Sequence, residues 1–202
     1  MPSKAEDEIV EDRIRIREVT TLSDDWSVLK KTTLDYRRRD GTWQTLNRET
    51  YDRGNGATIL PYNRERGSVV LTRQFRYPAY VNGHPDGMLV EACAGLLDRD
   101  DPETSIRKEA EEETGYRLDR VEQVFEAYMS PGSVTEKLHF FVAAYEPGAK
   151  ATAGGGLEAD GEEIEVLEVS LTEALAMVGR GEIVDGKTIM LLQYAALSRL
   201  LG

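Results

Sequence analysis

The stretch Gly95–Tyr116, GLLDRDDPETSIRKEAEEETGY, runs from a glycine turn into a short acidic helix. Asp101 is a good N-cap, Pro102 suits the first helical position, and Gly115 suits the left-handed residue just past the end. The spacing therefore predicts a helix over 102–114. Residues three and four apart on a helix are neighbours, so Glu109, Glu112 and Glu113 are expected to project as one cluster of carboxylate oxygens. Like charges at that spacing cost a few tenths of a kcal/mol per pair, and Glu111 adds to the repulsion. A cation normally seated on the cluster would account for it, since hard ions such as magnesium and manganese prefer carboxylate oxygen. The plainer alternative is a solvated Glu-rich helix.

Working outward, the helix has only Ile106 and Ala110 as apolar anchors, yet it follows MLVEACAG (88–95), which reads as one buried strand. Strand, glycine turn and acidic helix form the local architecture, and such a turn can bring backbone carbonyls close to whatever the carboxylates hold. Upstream, residues 1–10 are polar and expected to fray. RIRIREV alternates as a strand with one dry face, and the segment 27–54 reads as two strands joined at Asp40-Gly41. After Gly54-Asn55-Gly56, ATILPY and SVVLTRQFR form a second hairpin, where a new domain begins. Downstream, VEQVFEAYM and EKLHFFVAAYE read as paired strands joined by SPGSVT. A Gly-rich acidic loop from Pro147 to about Gly161 follows, of a length usual for a lid or a disordered segment. EIEVLEV is a strand, Ser170 and Glu173 start a helix that stops at Gly181, and Asp185 caps a final apolar helix.

The 202 residues suffice for one sizeable core and a small appendage. A formal charge of −12 argues against nucleic acid and anionic membranes as partners, because phosphate backbones are bound by positive stripes. Cys93 is the single cysteine, placed in an apolar strand, which fits a reducing compartment and a packing role. His84 and His139 have no zinc-type spacing and read as structural. No apolar run has the length of a membrane span, and MPSKAEDEIVEDR lacks the apolar stretch of a signal peptide, so a cytoplasmic protein is expected.

The acidic segment resembles the box of the Nudix hydrolases, enzymes that cut a diphosphate linked to another group. That pattern is Gly, five residues, Glu, seven residues, then Arg-Glu-apolar-x-Glu-Glu-x-Gly-apolar. Here Gly95 is followed by four residues and Asp100, then seven residues, then Lys108-Glu109-Ala110-Glu111-Glu112-Glu113-Thr114-Gly115-Tyr116. The first spacer is one residue short, Asp100 stands for Glu, and Lys108 stands for Arg. Replacing Arg by Lys removes a bidentate fork that would orient neighbouring carboxylates.

Beyond the box, YDRGNGATIL (51–60), LTRQFR (71–76), YMSPGSVTEKLHFF (128–141), GGGLEADGEEIEVLE and EIVDGKT (182–188) are similar to the GDP-mannose pyrophosphatase subfamily of Nudix enzymes, with ADP-ribose pyrophosphatases as next relatives. The resemblance implies an α/β (α+β) fold, a mixed β-sheet core flanked by helices, with a small N-terminal β domain over 1–54 that helps to form a homodimer and a hydrolase domain over 55–202. It implies Mg2+, or Mn2+, held by Glu109, Glu113 and the backbone carbonyl of Ala94, with Glu112 shared or behind them. A further carboxylate, as metal ligand or catalytic base, is implied from the Gly-rich loop, with Glu162 preferred over Glu158 and Glu163.

For substrate, Arg76 alternates with Phe75, so a core-facing Phe75 would leave Arg76 pointing away from the core toward a phosphate. The resemblance adds Arg48 and Glu49 as contacts to the nucleotide, Trp26 as an aromatic for the base, and Glu136 and Lys187 at substrate positions. Taken singly, each is as well read as a surface charge or a core aromatic. The function implied is metal-dependent hydrolysis of a nucleoside-diphosphate sugar, GDP-mannose first, to a nucleoside monophosphate and a sugar 1-phosphate. ADP-ribose hydrolysis and a non-catalytic nucleotide-sugar sensor are the alternatives.

Overall fold

A computed structural model describes residues 13–97, 100–148, 150–157, 159 and 161–202. Residues 1–10 and Glu158, both subjects of sequence expectations, lie outside the described residues. The contacts divide the chain into two units, one of residues up to Gly54 together with Tyr128–Lys137, the other of Asn55–Ala127 and Leu138–Gly202.

The first unit is an antiparallel sheet of β1 (Ile14–Asp24), β2 (Val28–Arg37) and β3 (Trp43–Asp52) in that order. Asp40 and Gly41 make the β2–β3 turn, with Gly41 at φ 86°, a backbone that glycine adopts without steric cost. The segment 128–137 belongs here because backbone bonds tie it to the end of β3: Tyr51 N–H donates to Ser133 and Thr135 N–H donates to Tyr51.

Among the described residues, the second unit is a seven-stranded mixed sheet with four helices. Its strands are β4 (Gly56–Asn63), β5 (Ser68–Phe75), β6 (Met88–Glu91), β7 (Cys93–Leu96), β8 (Glu122–Tyr128), β9 (Lys137–Ala144) and β10 (Glu165–Ser170). The helices are α1 (Tyr77–Val81), α2 (Pro102–Thr114), α3 (Leu171–Arg180) and α4 (Gly186–Leu197). The β4–β5 hairpin pairs only at Tyr62–Val69 and Asn63–Ser68; β4 then runs antiparallel to β7 and parallel to β9, while β5 pairs with β10 and β6. That divergence corrects the reading of 88–95 as one strand. The run breaks at Ala92, whose N–H leaves the ladder and donates to Thr188 Oγ1 at 2.6 Å, so β6 and β7 pair with different neighbours. Both halves are apolar or small, so one buried strand and two read alike in sequence.

Helix α2 forms with the expected caps. Asp101 accepts from Glu103 N–H and Thr104 N–H, and Gly115 closes the helix at φ 79°. Ile106 and Ala110 seat α2 in a core with Ala57, Ile59, Val70, Cys93 and Phe141. Asp100 and Lys108, the two side chains that depart from the box pattern, form an ion pair with each other on the exposed side of the helix. The helix expected from Asp185 runs from Gly186 to Leu197.

Candidate metal and substrate site

The three helix carboxylates do not share one environment. At about 100° per residue, Glu109 and Glu113 lie about 40° apart around α2, whereas Glu112 lies about 60° to the other side of Glu109. Glu113 is only 3% exposed, Glu109 is half-buried and Glu112 is exposed. The expected single cluster is therefore a graded one, with Glu113 innermost because it continues the stripe of Ile106 and Ala110.

Gly95 explains why a glycine begins the motif. A Cβ there would lie 2.1 Å from Glu109 Oε1 and 2.2 Å from its Cδ, so the carboxylate packs directly on the glycine backbone. Ala94, whose carbonyl was a candidate ligand, sits beside it on β7 opposite Thr58. The Gly-rich loop closes over the other end of α2: Gly155 N–H donates to Glu113 O at 2.9 Å and Gly156 N–H to Glu112 O at 3.3 Å, bonding carbonyls that a helix end leaves unpaired. Glu162 Oε2 accepts from Leu157 N–H at 3.0 Å, and a Cβ on Gly156 would meet that oxygen at 2.5 Å. Glu163 is exposed. A cavity of about 440 Å³ lies beside this junction, lined by Lys108, Glu111, Glu112, Thr152, Gly154, Gly156 and Leu157.

Glu113 carries the electrostatics. Its Oε2 is buried with no hydrogen-bond partner. Burial pushes its pKa up to about 7, and the charges of Glu109 and Glu162 push the same way, while the Cys93 thiol and Arg76 oppose them. The Cys93 thiol is in turn pushed up by burial and by Glu113. Glu109 and Glu162, from two different segments, thus both act on Glu113 electrostatically.

A divalent cation fits these residues. Glu113 offers a buried oxygen that lacks a donor, Glu109 lies in a cradle only glycine leaves open, and the donors are the carboxylate oxygens that hard ions prefer. Among the described residues, no three His, Cys, Asp or Glu side chains stand close enough to hold an ion by themselves, so the fit rests on these two carboxylates and their surroundings.

Arg76 and Lys187 are brought to the same region by Glu91, a buried residue of β6 that the sequence reading missed. Arg76 Nε donates to Glu91 Oε2 at 2.7 Å and Lys187 Nζ to Glu91 Oε1 at 2.8 Å. Arg76 does not stand opposite a core-facing Phe75. Phe75 does not point into the core; it is 52% exposed and lies against Tyr80, with ring centroids 6.2 Å apart, because β5 ends there and the chain turns into α1.

The other candidate contacts belong to the first unit. Trp26, in the β1–β2 turn, is 91% exposed. Arg48 and Glu49 are exposed on β3, opposite Thr32 and Lys31, and Arg48 donates to its neighbour's carbonyl, Asn47 O. Glu136 is half-buried and lies 3.5 Å from Arg53. The histidines make local contacts: His84 Nδ1 accepts from Gly87 N–H, and His139 Nδ1 lies 3.0 Å from Glu126.

A strand, a glycine turn and an acidic helix whose carboxylates suit a divalent cation define a metal-dependent hydrolase of diphosphates, and this chain belongs to the Nudix hydrolase family: the NUDIX domain model matches residues 52–192. Nudix hydrolases generally use divalent metal ions. Residues 13–51 match the GDP-mannose pyrophosphatase NudK N-terminal domain. Among curated relatives, the chain is 58% identical over 182 residues to the GDP-mannose pyrophosphatase of Pectobacterium atrosepticum, covering 90% of this chain and 93% of that one. It is 59% identical to the enzyme of that name from Yersinia enterocolitica, over 89% and 93% of the two chains, and 60% identical to that of Yersinia pestis, over 86% and 87%. A crystal structure of an ADP compounds hydrolase has the same fold, with a TM-score of 0.70 at 14% identity over 92% of this chain and 96% of that one.

Proposed function

We propose that the protein hydrolyses GDP-mannose to GMP and mannose 1-phosphate with magnesium, or manganese, as its metal. The observation that carries the reading is Glu113, a carboxylate buried to 3% exposure with an unpartnered oxygen beside Glu109. An unpaired buried carboxylate is costly unless a cation offsets it. Glu109, Glu113 and the Ala94 carbonyl would hold the ion. When bound, divalent ions neutralise charge on the diphosphate oxygens and lower the pKa of the attacking water.

The chain's residues do the remainder. Glu162 accepts the proton of the attacking water, and the glycine loop that bonds to the end of α2 holds it near Glu113. Glu112, one turn away on the exposed side, supports the same site. Arg76 and Lys187 bind the diphosphate. Water oxygen bonds to phosphorus as the bridging P–O bond breaks, and the leaving phosphate departs as an anion. Trp26, Arg48, Glu49 and Glu136 are assigned to substrate recognition. Residues 1–54 are proposed as a dimerising β domain and 55–202 as the hydrolase domain of a cytoplasmic homodimer that binds neither nucleic acid nor membrane. Among the described residues, no helix is long and apolar enough to cross a membrane.

The preference for GDP-mannose is supported by relatives of that name that match most of the chain. A nucleotide-sugar panel with magnesium and product identification tests it. The kcat/KM for GDP-mannose should exceed that for ADP-ribose by at least about tenfold, equivalent to about 1.4 kcal/mol in transition-state binding. The reverse order would leave the diphosphate chemistry and overturn the substrate.

A further inference from the structure

Glu91 lies outside the set of carboxylates that would hold a cation, yet it is as buried as Glu113, at 3% exposure. Its two oxygens are divided between two cations from different elements, Arg76 at the end of β5 and Lys187 at the start of α4. Lys187, itself 8% exposed, has a second anionic neighbour in Asp185 Oδ2 at 3.1 Å, and Asp185 also caps α4. One carboxylate thus locks three segments together.

The bond to Arg76 uses Nε, so the two terminal nitrogens of the guanidinium take no part in it, and the Arg76 side chain is 40% exposed. Its charge is felt by Glu113, and that of Lys187 by Cys93, next to the glycine turn. Arg76 thus lies within electrostatic reach of a carboxylate that suits a cation, and Glu91 ties Lys187 to it, where an anionic diphosphate would lie. A guanidinium and an ammonium on flexible stems bind an anion well only when held beforehand.

We propose that Glu91 is a positioning residue that fixes Arg76 and Lys187 so that both cations meet the substrate's diphosphate. This rests on the reading of the protein as a diphosphate hydrolase.

The test is Glu91→Gln in the full-length, magnesium-saturated enzyme. Gln keeps the shape and one acceptor oxygen but turns an NH2 donor toward one of the two cations and releases it. The kcat/KM for GDP-mannose and for ADP-ribose should fall by a common factor of roughly ten to a hundred. The magnesium concentration for half-maximal activity should stay the same. Adding Glu91→Gln to the double variant Arg76→Met/Lys187→Met should cost little more, because Glu91 acts through those two cations. A lowered melting temperature with unchanged kcat/KM per folded enzyme, or fully additive losses, would overturn the role of Glu91 alone. Should Glu91→Gln not fold, Glu91→Asp keeps the charge on a shorter stem, and a smaller loss of the same pattern is expected; unchanged kcat/KM would count against the proposal. A wild type that turns over neither nucleotide would overturn the hydrolase reading itself, and this inference with it.

Discussion

Glu113 concentrates the chemistry of this chain at one oxygen. Replacing it by Gln removes a ligand charge while keeping volume, so activity should fall by more than the roughly 10- to 100-fold typical of losing an outer hydrogen-bond partner of a metal ligand. Its stability signature without metal runs the other way. The folded carboxyl titrates at about 7 against an ordinary 4.5. Below about pH 4.5 both folded and unfolded states hold the proton and burial costs nothing extra. As pH rises toward 7 the unfolded state gives up its proton first, so metal-free stability declines across that window, by an amount on the order of 3 kcal/mol. Denaturant melts in EDTA between pH 4.5 and 7.5 should show Glu113→Gln gaining on wild type by that order as pH rises. A difference that stays flat with pH would contradict the burial of an ionised Glu113. The sequence placed this residue on the helix and in the box, but not its burial, because a narrow stripe of Ile106 and Ala110 does not say how deeply α2 sinks.

Where β7 turns toward α2, the decisive contact is between elements. Gly95→Ala puts a methyl group where Glu109 packs, and the flexible carboxylate must move away. The expected outcome is at least about a tenfold loss in magnesium affinity by calorimetry, of the kind seen when a ligand's support is removed, with a melting temperature close to wild type. Unchanged affinity would sink the cradle. Elements with strong local chemistry were legible: the Asp101 and Gly115 caps of α2, the Ser170 and Gly181 caps of α3, the Asp185 cap of α4, and the Asp40-Gly41 turn. The break at Ala92 was not, because its cause is a hydroxyl on Thr188, 96 positions away. Nor was the Arg76–Glu91–Lys187 cluster, whose members are ordinary charges until β5, β6 and α4 bring them together. The exposure of Phe75 was missed because alternation assumed that the strand continued past residue 75.

At the scale of the molecule, the first unit is a three-stranded sheet that exposes Ile14, Ile16, Val19 and Leu22 along β1. So much apolar surface on an edge strand supports the proposed homodimer, since uncovered edges of this kind invite pairing. Light scattering at micromolar concentration should give twice the chain mass, and Ile16→Asp should shift it to one chain; a monomeric wild type with full activity would argue against the dimer. The proposed chemistry is metal-dependent cleavage of a diphosphate at α2. Its most direct test is to incubate the purified protein with GDP-mannose and identify products by mass, with magnesium, with EDTA, and with EDTA followed by excess magnesium. GMP and mannose 1-phosphate are expected in the first and third and none in the second. Undiminished turnover in EDTA, or GDP-mannose bound but intact in magnesium, would contradict that chemistry.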